Sequence, residues 1–238
     1  MVDSRLIVAL DVHSMEDVRT LVETLNQSVS YYKVGMELYY RVGPEILSYL
    51  HGQGKSIFLD LKLHDIPNTV AEGLCSLMRF HVDMMNVHAS GGYEMMRTAV
   101  QKVHEQAMRD DGIAAPKLIA VTILTSIGGD AWKEMGFSQN IREQVVRYAL
   151  LAKKAGMDGV VASPQEASAI REACGAEFLI VTPGIRPAGA DVNDQSRIAT
   201  PAAALQHGAT HLVVGRPIRS AQDPKAAAEA IILEMERV

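Results

Sequence analysis

The sequence predicts an α/β chain, residues 1–238, folded as one (β/α)8 TIM-barrel domain: a closed ring of eight parallel strands with helices outside it. Three observations predict this. Eight short apolar or β-branched runs alternate with amphipathic stretches. Nearly every run ends in a polar residue or a glycine, and in such a barrel the C-terminal strand ends meet at one mouth. The length of 238 residues, with 48% hydrophobic, suits one large core of this size class. An open doubly wound sheet is the alternative. A dinucleotide-type sheet would carry GxGxxG after its first strand, and Asp11-Val12-His13 stands there instead.

The eight runs are Leu6 to Leu10, Tyr31 to Gly35, Ile57 to Leu61, Met84 to Val87, Leu118 to Ile123, Gly159 to Ala162, Phe178 to Val181, and His211 to Val214. Their polar ends are Asp11, Lys33, Asp60 with Lys62, His88, Thr122 with Thr125, Ser163, Thr182, and Gly215 with Arg216. Helix starts fall between them. Ser14 or Asp17 opens the first helix, where a short polar side chain can cap free amide groups. Pro44, Pro67, Pro164 and Pro201 open later ones, because proline's missing N–H costs nothing in a first helical turn.

Composition narrows the function classes. The net charge of −5 disfavours a general nucleic-acid or anionic-membrane surface while leaving room for a local basic pocket. No window approaches the roughly 20 apolar residues that span a bilayer, and Asp11 interrupts the first apolar run too early for a signal peptide. A soluble, cytoplasmic protein is expected. The two cysteines, Cys75 and Cys174, belong to no CxxC pattern and read as small buried hydrophobes. The twelve methionines are scattered and read as core filler.

Most informative is FLDLKLHDIPNT, Phe58 to Thr69. Side chains alternate along a strand, so Phe58, Asp60 and Lys62 share one face and Ile57, Leu59, Leu61 and Leu63 the other. Opposed charges at a strand end, with Asp65 just beyond, cost desolvation unless they neutralise one another or serve chemistry. A structural ion pair is the plain reading. Lys33 and Asp11, from two further strand ends, would enter the same mouth and favour a site. Flanking carboxylates favour a lysine's charged form, which suits a proton donor or electrostatic clamp better than a Schiff-base nucleophile.

Gly215 and Arg216 follow the eighth strand, where barrels commonly bind phosphate through close backbone amides and a planar guanidinium. The alternative there is a turn glycine beside a surface arginine. Val181 to Gln195 is a long Gly- and Pro-rich stretch without apolar periodicity, and it reads as a lid able to bring Arg186 and Gln195 onto a phosphate. Thr125 and Ser126 could read a polar ring or cap a turn. His88 has no partner at ligand spacing, so a metal role is not expected for it.

Seven segments in order carry a resemblance: VALD at Val8 to Asp11, KVG at Lys33 to Gly35, FLDLKLHDIPNT, NVHASGG, VTILTS, VTPGIRP with Asp194-Gln195, and VVGRPI. Together they resemble the orotidine 5′-monophosphate decarboxylase family from end to end, whereas DxKxxD alone is shared with phosphosugar decarboxylases and synthases. The resemblance implies cofactor-independent, metal-free decarboxylation of orotidine 5′-monophosphate to UMP, the last step of de novo pyrimidine synthesis. It implies Asp11 and Lys33 on ribose hydroxyls, Asp60 beside the substrate carboxylate, and Lys62 as proton donor, with Lys33 and Asp65 completing the catalytic charge network. Thr125 and Ser126 would face the pyrimidine and Pro183 would line the pocket. Arg186, Gln195, Gly215 and Arg216 would hold the phosphate or its loop. Asp65 and Thr69 would reach into a partner subunit's site, so a homodimer is expected. Two alternatives remain: a metal-dependent phosphosugar decarboxylase or synthase, which would carry an acidic residue where Lys33 stands, and a catalytically silent nucleotide-binding barrel.

Overall fold

The computed structural model describes residues 2–110, 112–187 and 199–238. Within them β1 (Leu6–Ala9), β2 (Tyr31–Gly35), β3 (Ser56–Leu63), β4 (Met84–His88), β5 (Lys117–Val121), β6 (Gly159–Val161), β7 (Leu179–Thr182) and β8 (His211–Val214) pair in sequence order, all parallel. The ring closes where Leu6, Ile7 and Val8 of β1 pair with Leu212, Val213 and Val214 of β8. This is the (β/α)8 barrel that the eight apolar runs predict.

The strands read as continuous apolar runs because both faces of a parallel sheet are covered. Alternation then sorts the side chains. Ile7, Ala9, Tyr31, Phe58, Met84, Ile119, Val181 and Val213 pack together inside the ring. Leu6, Val8, Ile57 and Leu59 face outward into the larger layer shared with the helices. Burying each large side chain contributes about 1.5–3 kcal/mol, and Phe58 is 1% exposed at the level just below the charged strand ends. The charged groups therefore stand on a packed floor.

One or two helices follow each strand. Met15–Leu25 buries Val18, Leu21, Val22 and Leu25, a helical stripe, and Ser14 caps it by accepting the Asp17 N–H at 3.1 Å. Pro67 and Pro201 occupy the first turns of Pro67–Met78 and Pro201–Gln206, as expected. Two starts differ from expectation. A short helix, Met36–Val42, leaves β2 directly before Pro44 introduces Glu45–Gly52; seven residues give too little periodicity to read. The helix Ala167–Cys174 begins three residues beyond Pro164, because Ser163 holds a turn there by accepting the Gln165 N–H at 3.2 Å.

Strand ends also shift. β5 stops at Val121 instead of Ile123, and β3 runs two residues beyond Leu61. No helix among the described residues is long and apolar enough to cross a membrane.

Candidate active site

The C-terminal ends of the strands enclose a cavity whose polar lining is Lys33, Asp60, Lys62 and Thr125. Its apolar lining includes Phe58, Val121, Val161 and Val213, with Pro183 at the β7 end. Charges set among such walls interact in a medium less polarisable than water, so their mutual attractions are stronger and errors of pairing cost more.

The charges form a chain. Asp11 Oδ1 accepts from Lys33 Nζ at 3.2 Å, Lys33 Nζ lies 3.3 Å from Asp60 Oδ2, and Lys62 Nζ donates to Asp60 Oδ1 at 2.6 Å. Three strands thus contribute an alternating acid–base row. The Lys33 and Asp60 side chains are only 12% and 10% exposed, so neither charge is screened by bulk water. Burial works against the Asp60 carboxylate, but Lys33, Lys62 and hydrogen bonds from Lys62 and Asn86 outweigh it and hold its pKa below the usual carboxylate value. Burial likewise disfavours the Lys33 ammonium, and Asp60 and Asp11 more than offset this, raising its pKa. The pair stays ionised.

Expected residues take different positions. Gly215 lies beside Asp11, since a Cβ there would sit 3.5 Å from Asp11 Oδ2. Arg216 is half-buried at the start of the short helix Arg216–Arg219. Arg186 is 7% exposed and donates to the Ile185 carbonyl at 2.8 Å. Ser126 is exposed and does not line the cavity that Thr125 enters. Asp65 and Thr69 are exposed on the rim and do not line this chain's own cavity; the Asp65 carboxylate accepts the Ile66 N–H at 2.6 Å. Gln195 and residues 188–198 of the expected lid lie outside the described residues.

Not every polar strand end serves the mouth. Thr122 donates its hydroxyl to the Val161 carbonyl at 2.9 Å, Ser163 holds the turn described above, and Thr182 is fully buried without entering the cavity lining. Two residues that stand within the quoted motifs, but to which the sequence assigns no role, do bear on the site. Asn86, 1% exposed, donates to Asp60 Oδ1 at 2.7 Å. A lone Asn within the apolar run Met84–His88 was its visible signal. Gly35 is the other: a Cβ there would lie 3.1 Å from Lys33 Nζ and 3.7 Å from Asp11 Oδ1. With φ −90° and ψ 175°, its backbone would accept alanine. Gly35→Ala is therefore expected to cost less than about 1 kcal/mol as the helix N-cap, while displacing the Lys33 ammonium and raising KM several-fold. An unchanged KM would show that the ammonium relocates freely.

Histidines govern acid stability. His88 stands with its ring 5.4 Å from that of His64; burial, His64 and Lys62 lower its pKa. His211, on the opposite face of the barrel beside Tyr31, is lowered by burial and by Arg5 against the pull of Asp3. A base with a depressed folded pKa loses stability as pH falls through its unfolded value, near 6.5. Asp60 has the other sign convention but the same direction: its contribution is full above about 3.9 and is lost as pH falls through its lower folded pKa. The urea midpoint should thus decline below about pH 6.5 and fall again below about pH 4. A midpoint flat to pH 4 would contradict the burial of both histidines.

Among the described residues no cluster of three or more His, Cys, Asp or Glu side chains could hold a metal ion. A closed parallel barrel with an acid–base row at its C-terminal mouth defines a barrel enzyme of the kind that works on a small molecule there. The chain belongs to the orotidine 5′-phosphate decarboxylase / HUMPS family, whose model matches residues 4–231. It is 51% identical over 235 residues to orotidine 5′-phosphate decarboxylase of Moorella thermoacetica, covering 98% of this chain and 93% of that one. It is 48% identical over 232 residues to the Geotalea daltonii protein of the same name, covering 98% and 96%. The crystal structure of orotidine 5′-phosphate decarboxylase from Lactobacillus acidophilus superposes with a TM-score of 0.86 at 42% identity, covering 98% of this chain and 99% of that one.

Proposed function

We propose that this chain decarboxylates orotidine 5′-monophosphate to UMP without a cofactor, as a cytoplasmic homodimer built from one barrel domain per subunit. The observation that carries the reading is the Asp11–Lys33–Asp60–Lys62 row beside an apolar cavity. Loss of CO2 breaks the bond between C6 and the carboxylate and leaves its electron pair in an in-plane orbital that the pyrimidine cannot delocalise. Fixed positive charge must stabilise it. Lys62 supplies that charge and then gives a proton to C6; solvent returns the proton to Lys62 after CO2 and UMP form. Asp60 holds the Lys62 ammonium at 2.6 Å and so sets where that charge lies.

The remaining roles are those that the family resemblance implies. Asp11 and Lys33 bind ribose hydroxyls, Thr125 faces the pyrimidine from the cavity wall with Ser126 next to it outside the lining, and Pro183 closes one side of the pocket. Gly215 and Arg216 take the phosphate, beside Asp11, with Arg186 and Gln195 holding its loop. Asp65 and Thr69, exposed on the rim, complete the site of a partner subunit. Phosphate binding far from the breaking bond can still organise the charged row, because binding energy realised in the closed complex lowers the barrier.

The test is absorbance-monitored turnover of orotidine 5′-monophosphate in EDTA. Turnover is expected. No activity, or activity only with added divalent metal, would defeat the proposal, and metal dependence would favour the phosphosugar decarboxylase or synthase alternative.

A further inference from the structure

Lys62 has an unusual backbone. Its φ is +52°, in the left-handed region that a side-chain-bearing residue enters at a cost. Pairing explains where this arises. Leu59 pairs with Met85 and the next pair is Leu63 with Val87, so β3 advances four residues while β4 advances two. A bulge of this kind leaves amide groups without ladder partners and re-aims the side chain it carries. The Lys62 N–H is one such donor, and it finds the Asn86 side chain, donating to Oδ1 at 2.8 Å.

The same amide has a second bond. Asn86 Nδ2 donates to Asp60 Oδ1 at 2.7 Å, the oxygen that also accepts from Lys62 Nζ at 2.6 Å. One buried side chain therefore fixes Lys62 at both ends: its backbone directly, and its ammonium through the carboxylate. Only one amide orientation does this, because an N–H needs an acceptor and a carboxylate needs a donor. Asn86 alternates inward with Met84, while Met85 and Val87 face the outer layer. Its neighbours leave it no solvent to exchange with.

We infer that Asn86 is a positioning residue for the reaction, holding the bulged Lys62 so that its ammonium meets both Asp60 and the reacting carbon. This rests on the proposed role of Lys62. Removing the amide frees the strained backbone to relax and lets the ammonium wander. A displacement of about 1 Å in a reacting group can cost roughly 100-fold in rate. The ribose and phosphate contacts, made by other strands, stay in place.

Two variants test it. Asn86→Leu keeps the volume and removes both bonds; kcat should fall roughly 10- to 100-fold while KM and UMP binding stay within about threefold. Asn86→Asp keeps the shape. When protonated it reproduces both bonds, donating its O–H to Asp60 and accepting from the Lys62 N–H; when ionised it sets two carboxylates against each other. Its kcat should therefore rise towards the wild-type value as pH falls, an acid-shifted profile that loss of packing alone would not produce. Should Asn86→Leu fail to fold, Asn86→Asp carries the test. A wild-type kcat in Asn86→Leu, or an Asn86→Asp profile parallel to wild type, overturns the inference. Absence of turnover in the unmodified protein would instead defeat the functional reading, so the two failures are distinct.

Discussion

Lys62→Ala should reduce kcat by roughly 10⁴-fold or more, since in the proposed mechanism it removes a proton donor, worth about 10²–10⁴, together with the charge facing the developing carbanion, worth about 10²–10³. The fold should survive. Asp60 keeps Lys33 and Asn86 as partners, and the Lys62 backbone N–H can still reach Asn86 Oδ1. The expected stability loss is about 1–3 kcal/mol, that of one charged hydrogen bond. UMP affinity should change little, because the proposed ribose and phosphate anchors lie beyond β1, on β2 and at the β8 end. Turnover within tenfold of wild type, with UMP binding intact, would remove Lys62 from the proposed role.

Asp60→Ala should be the most destabilising change at the site. Asp60 is the carboxylate between two ammonium groups, 3.3 Å from Lys33 Nζ and 2.6 Å from Lys62 Nζ. Breaking a buried pair by deleting one partner costs about 3–5 kcal/mol, since the remaining charge stays desolvated. Here two like charges would remain, with Asp11 the one acid partner left to Lys33 among the described residues. The pH dependence supplies a sharper check. In the wild type, the raised Lys33 pKa means that its contribution is full below about 10.4 and is lost as pH rises through the folded value. In Asp60→Ala, burial dominates and depresses that pKa, so the penalty should shrink as pH rises towards 10. Urea midpoints of both proteins from pH 7 to 10 measure it. A penalty independent of pH would mean that Lys33 escapes to solvent, and turnover should be lost in either case.

The two substitutions differ in what they expose. Lys62 is 23% exposed and ends the row, so its loss is felt mainly in chemistry. Asp60 sits mid-row and couples folding to chemistry. A fold that must bury this carboxylate to hold two lysines has tied part of its stability to the geometry of the mouth.

Much of this was legible in sequence because the signals are local. Eight apolar runs mark eight strands, since helix cover on one face and the packed ring on the other leave few positions for polar side chains below the mouth. Alternation put Asp60 on the Phe58 face, and Ser14, Pro67 and Pro201 fell where helix starts require them. Motifs ranked Asp11, Lys33, Asp60 and Lys62 together before any distance was known. The limits were also local. Met36–Val42 was too short to show a period, and Thr122, Ser163 and Thr182 end strands without entering the cavity.

By itself, then, the sequence determined the barrel, its closing order of strands and the identity of the charged residues at its mouth, because strand alternation and helix capping depend on neighbours a few positions away. Only the tertiary structure decided the bulge between Leu59 and Leu63, the left-handed Lys62, and the two bonds by which Asn86 holds it. Those depend on register between β3 and β4, which is set by packing across the ring and leaves no mark in either strand read alone.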